Sequence, residues 1–113
     1  MNLQRAVPIL TVADVKAATE ECQRLLGLDI LMDHGWIATL GSIGQAEFSL
    51  MTQDKTGPIN PMSLQVGAVD TIYARVQQSG AVIVHPIQDE EWGVRRFFFQ
   101  TLDGQTVNVL SHR

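Results

Sequence analysis

Apolar positions along the chain fall into short alternating runs and two helical stripes, and the order of these features repeats. Leu10-Thr-Val12-Ala-Asp14-Val15 and Leu64-Gln-Val66-Gly-Ala68-Val69 carry one pattern in the two halves of the chain. Ala18 then falls with Ile72 and Cys22 with Val76, and Gly27 and Gly80 each close a helix-like segment. In the first half, residues 6–12 alternate as a strand, with Pro8 marking an edge or an exchanged segment because it lacks an N–H donor. Asp14 suits an N-cap, and Val15, Ala18, Cys22, Leu25 and Leu26 form the apolar stripe of a helix that Gly27 ends. Residues 28–32, 36–40 and 46–51 follow as strands, separated by Asp33-His34-Gly35 and Gly41-Ser42-Ile43-Gly44.

The second half repeats this plan. Residues 62–66 predict a strand, 69–79 a helix and 82–85 a strand. A polar loop over 86–93 precedes strands at 94–100 and 106–110, which an Asp103-Gly104 turn joins. Between the halves, Asp54, Gly57, Pro58, Asn60 and Pro61 give residues 52–61 a loop composition. The expected architecture is one α+β domain over residues 1–113, built from duplicated βαβββ modules at about 1–52 and 62–113 with a linker at 53–61. Neither module can bury both faces of its sheet alone, so pairing them should leave a shared concave surface opposite the helices.

Strand alternation indicates what lines that surface, since successive side chains point to opposite faces. Val107 and Val109 suit the helix-covered face, which leaves Thr106, Asn108 and Leu110 on the other. Phe48 and Leu50 form a core pair, so Glu47, Ser49 and Met51 face the concavity. In Phe97-Phe98-Phe99 the outer two belong to the core and Phe98 to the pocket.

Composition narrows the function. The chain has 113 residues, 45% of them hydrophobic, enough for one small core without a metal or disulfide staple. Its apolar runs are far shorter than a membrane span, and residues 1–5 have no signal-peptide character, so a cytoplasmic location is expected. The net charge is −4 and the basic residues are scattered except for Arg95-Arg96, which argues against nucleic acid as a partner. One cysteine, Cys22, excludes an internal disulfide and a four-thiolate zinc site, and it reads as a small helix-face hydrophobe. No paired-histidine spacing exists: His34 sits in a turn, His85 ends a strand and His112 lies in the tail. No serine sits in a nucleophile-elbow pattern.

The repeat and three local patterns resemble the vicinal oxygen chelate superfamily, which includes glyoxalase, extradiol dioxygenase and bleomycin-resistance proteins. The likeness is nearest to the bleomycin-resistance group. Ala6-Val-Pro8-Ile-Leu-Thr-Val-Ala-Asp14-Val15 resembles its first strand and helix start, and Leu25-Leu26-Gly27-Leu28 its helix end. Glu91-Trp92-Gly93-Val-Arg-Arg-Phe97-Phe98-Phe99 followed by Asp103-Gly104 resembles its penultimate hairpin. The chain departs from the group at Glu21-Cys22, where two aromatics are usual, and at Thr101-Leu102 before the Asp103-Gly104 turn.

Catalytic members of the superfamily hold a divalent metal at four strand positions. The resemblance carries these to Val7, Glu47, Pro61 (or Met62) and Asn108, of which Glu47 alone is a strong ligand, so no metal and no cofactor is expected. The resemblance instead implies ring stacking of a flat ligand on Trp92, with Glu90 and Glu91 attracting a cationic tail; the alternative is Trp92 packed on a neighbouring subunit. Trp36, which either faces the concavity or plugs the sheet end, joins Glu47, Phe98 and Asn108 as a candidate ligand contact. The function expected is metal-independent sequestration of a small planar, cationic, bleomycin-like compound by a homodimer that exchanges its N-terminal arm near Pro8. The alternative is a metal-dependent lyase, isomerase or dioxygenase of the same superfamily.

Overall fold

A computed structural model describes residues 3–42 and 44–113; Ile43 of the expected Gly41–Gly44 turn lies outside them. Among the described residues there are two helices and eight strands, in the order β1 (Leu3–Thr11), α1 (Val15–Leu26), β2 (Asp29–Asp33), β3 (Ile37–Gly41), β4 (Glu47–Met51), β5 (Met62–Val66), α2 (Val69–Ser79), β6 (Ile83–Asp89), β7 (Val94–Gln100) and β8 (Thr106–His112). The chain divides into two compact units, residues 7–59 and residues 60–113, and residues 3–6 at the start of β1 group with the second.

In the 7–59 unit, β1 pairs in parallel with β4, β4 pairs antiparallel with β3, and β3 antiparallel with β2. Helix α1 packs on β3 and β4. It starts where expected: the Asp14 side chain accepts a hydrogen bond from Ala17 N at 3.0 Å, and Gly27 closes the helix at a φ of 66°, a left-handed conformation that costs a glycine nothing. Val15 and Thr19 are its buried residues. Leu25 and Leu26 are 64% and 63% exposed, so the apolar stripe of the sequence runs one turn beyond the packing.

The other unit orders its strands β5-β8-β7-β6, with β5 and β8 parallel and the rest antiparallel. Val66, Val69, Phe97 and Val109 form its core, joined by Ile72, Tyr73, Val76, Phe99 and Val107. The three phenylalanines therefore divide as the alternation requires. Phe97 and Phe99 face α2, and Phe98 lies on the opposite face with Asn108, its cross-strand partner.

Three boundaries differ from the sequence reading by two residues or more: β1 starts at Leu3 and not at residue 6, and the other two lie in the second half. Strand β6 runs through Pro86 to Asp89, where a loop was expected; among the described residues it pairs with β7 alone, and its register shifts between Ile83 and His85 and between His85 and Gln88. An edge strand with bulges tolerates a proline, because no ladder bond is asked of the missing N–H. The real turn is Glu90 to Gly93, closed by Glu90 N to Val94 O at 2.8 Å. Strand β8 likewise continues to His112, which pairs with Val94, so His112 is not in a tail. Arg113 N then donates to Gly93 O at 2.8 Å, tying the chain end to that turn.

Candidate functional site

The face of the 60–113 unit opposite α2 gathers most of the residues that the sequence nominates. Cross-strand register sets out one row, Ser63 (β5), Asn108 (β8), Phe98 (β7) and His85 (β6), and beside it a second, Gln65, Leu110, Arg96 and Gln88. Phe98 is fully buried, and the His85 ring meets it edge-on at 5.4 Å between centroids. Against the same ring stands a residue that sequence reasoning missed. The Arg96 guanidinium carbon lies 4.7 Å from the Phe98 centroid and 4.9 Å from that of Trp92, so one buried cation touches both rings.

Arg96 is held there by Glu90. Its Nε donates to Glu90 Oε1 at 3.2 Å, and Gln88 Nε2 donates to the same oxygen at 2.8 Å. The sequence expectation for Glu90, a solvated loop carboxylate that attracts a cationic tail, is thereby corrected: Glu90 is buried against an arginine at the root of the turn. A buried carboxylate needs such a partner, since its desolvation is otherwise prohibitive. Asp89 is also engaged, by Arg95 NH1 at 3.1 Å and Arg113 NH1 at 3.2 Å. Of the acids in this stretch, Glu91 is the one that is both exposed and in the turn itself.

Asn108 is 5% exposed. Its Nδ2 donates to Ser63 Oγ at 3.0 Å, and its Oδ1 is a buried acceptor without a hydrogen-bond partner among the described residues. At the edge of this face Gln65 Nε2 donates to Gln4 Oε1 at 3.0 Å, and Arg5 NH1 to Gln65 Oε1 at 3.4 Å.

Trp36 and Glu47 belong to the 7–59 unit and stand at opposite ends of it. Trp36 precedes β3, and its carbonyl accepts from Thr52 N beyond the end of β4, whereas Glu47 opens β4 opposite Gly41. About four residue steps of roughly 3.3 Å separate those ends. The Trp36 ring stacks on His34, with centroids 6.4 Å apart and planes 19° from parallel. Glu47 shares its face with Ser49 and Met51, as the alternation predicts; there Ser49 and Thr39 are buried and hydrogen-bonded, Oγ to Oγ1, at 2.7 Å.

At the metal positions that the resemblance implies, the side chains offer few donors. Val7 offers no donor atom, Glu47 is one carboxylate, and neither Pro61 nor Met62 supplies an anionic or imidazole ligand. Among the described residues no three His, Cys, Asp or Glu side chains come together to hold an ion. This donor set does not fit a divalent metal.

Arg96 left a faint sequence signal. It alternates in step with Phe98 on a strand whose other face is core, so an inward cation had to find an anion. That anion lies six residues back, across a turn whose position the sequence had misplaced.

No family model matches the chain, and no curated protein does. Solved structures match along its length. The NAD-dependent benzaldehyde dehydrogenase from Legionella pneumophila superposes with a TM-score of 0.80 at 16% identity, over 96% of this chain and 100% of that one. A glyoxalase/bleomycin resistance protein/dioxygenase superfamily member from Vibrio splendidus 12B01 gives 0.73 at 18% identity, over 95% and 97%. A methylmalonyl-CoA epimerase from Streptomyces coelicolor gives 0.71 at 17%, over 97% and 95%. The fold is of the glyoxalase/bleomycin-resistance type. These names carry different activities, and a shared fold does not transfer any of them.

Proposed function

We propose that the chain is a vicinal oxygen chelate protein of the metal-independent kind, which binds and sequesters a flat small molecule without altering it chemically. The observation that carries this reading is the Trp92–Arg96–Phe98 stack: a buried guanidinium, fixed by Glu90, holds Trp92 in place beside a fully buried phenylalanine. A prepositioned aromatic wall favours planar ligands, because its ordering cost is met during folding. The mismatch between the family's metal positions and the residues standing there favours binding over metal chemistry. Ligand charge is set less by the acids than the sequence suggests, since Asp89 and Glu90 both face arginines.

The working assembly we propose is a homodimer in which the N-terminal arm of one copy serves the other. Gln4 and Arg5 bond to Gln65 through side chains, and a second copy presents the same Gln65 to the same arm.

The test is titration of the purified chain with two flat tricyclic probes, cationic proflavine and neutral acridone, read by calorimetry and by tryptophan emission. Binding of either, with emission quenched and Trp92→Ala weakening it by about 1–3 kcal/mol, supports the reading. No binding of either probe, or one tightly held divalent metal per chain by elemental analysis, overturns it.

A further inference from the structure

We infer that Ser63 and Asn108 form the polar end of the binding face and accept the amide edge of a ligand, an N–H beside a C=O as in a lactam, an imide or a primary carboxamide. The inference rests on the reading of this face as a small-molecule site and goes further by naming the group recognised there.

Three observations carry it. Asn108 is buried, on the face opposite the α2-packed core, and among the described residues its Oδ1 has no hydrogen-bond partner. Buried acceptors are almost always matched, so an orphan on a face built for a ligand calls for a donor from that ligand. Second, Asn108 Nδ2 donates to Ser63 Oγ at 3.0 Å, which leaves the Ser63 hydroxyl proton to be given elsewhere. One acceptor and one donor thus stand side by side on adjacent strands. Turning the Asn108 amide over exchanges their roles and still leaves one of each. Third, Phe98, the next residue in the same cross-strand row, is fully buried and keeps the sheet beside the polar pair apolar.

The pair discriminates among ligand chemistries. A carboxylate presents two acceptors, one of which would face the Asn108 oxygen. An ammonium or guanidinium group presents donors only, leaving the Ser63 proton unmatched. A vicinal N–H and C=O satisfies both partners, and a site whose buried polar groups are matched by one ligand rejects the analogue that lacks the donor.

The experiment compares carbostyril, a flat bicyclic lactam, with N-methylcarbostyril, in which the donor is replaced by a methyl group, on the full chain by calorimetry. Carbostyril is expected to bind at least about tenfold more tightly. That preference should collapse in Asn108→Leu, which keeps the branched shape but removes both polar atoms, and in Ser63→Ala, which adds no bulk and stays informative should the first variant fold poorly. Equal binding of the two lactams, a preference unchanged in Ser63→Ala, or failure of carbostyril to bind while acridone binds overturns the inference and leaves the ring-stacking reading standing. Failure of carbostyril, acridone and proflavine together overturns both.

Discussion

Glu90 and Arg96 form an ion pair at 3.2 Å in which each side chain is only 3% exposed, and the pair spans the turn that carries Trp92. Removing one partner of such a pair leaves an uncompensated charge in a poorly solvated place. Glu90→Ala should therefore destabilise the protein by about 3–5 kcal/mol, measured by urea unfolding. The double variant Glu90→Leu with Arg96→Met should lose much less than the sum of the single losses, because it removes both charges together. Strict additivity would show that the two groups do not depend on each other.

How much of this was legible in the sequence can be seen along β6 and β7. The division of Phe97 and Phe99 from Phe98 followed from alternation alone, because one face of β7 packs on a helix and the pleat has a period of two. The Asp14 and Gly27 caps were legible for a similar reason, each residue type satisfying a local backbone need. Pro86 misled, since a proline reads as a strand breaker until the strand is known to be an edge. Once the loop was placed too early, Glu90 counted as a solvated acid, and its pairing with Arg96 was hidden. The Ser63–Asn108 contact joins residues from opposite ends of the second half, and only the parallel register of β5 and β8 brings them together.

The outer side of the same hairpin makes a pH prediction. Arg95 grips Asp70 with Nε at 3.2 Å from both carboxylate oxygens and NH2 at 2.9 Å from Oδ1, and these hydrogen bonds hold the Asp70 carboxyl below its ordinary value. A carboxylate whose folded pKa is depressed contributes stability that is fully present above the unfolded value, and the contribution is lost as pH falls through the folded one. Asp70→Asn should thus lower stability at neutral pH and flatten the fall in thermal midpoint below about pH 4. Asp70 is exposed, so the difference between wild type and variant should shrink in high salt. A difference that persists unchanged at high salt and low pH would rule out the ion pair as its source.

The arm can be tested by mass. If residues 3–6 serve a second copy, light scattering at micromolar concentration should give a dimer, and Gln65→Ala with Arg5→Ala should shift it toward monomer while leaving the far-UV spectrum intact, since both changes remove side-chain bonds and no ladder bond. A monomeric wild type would retire the exchanged-arm proposal.

Gly41 sets the last expectation, because its backbone does not need a glycine and its surroundings do. Its φ is not in the left-handed region, unlike that of Gly35 at 84°. A Cβ at Gly41 would run into the Ala46 carbonyl oxygen and lie 2.9 Å from Glu47 Cα, both backbone atoms that no side-chain rotation can move aside. A methyl at Gly35 would meet nothing within 4 Å and would carry only conformational strain. Gly41→Ala should therefore cost about 1–3 kcal/mol through forced separation of β3 from the start of β4. Gly35→Ala should cost about 1 kcal/mol through φ alone. Since Gly41 is the cross-strand partner of Glu47, backbone amide shifts in Gly41→Ala should spread along residues 46–49 in an NMR spectrum, whereas those in Gly35→Ala should stay within its turn. Shifts confined to residue 41 and its chain neighbours would show that the hairpin yields without displacing Glu47.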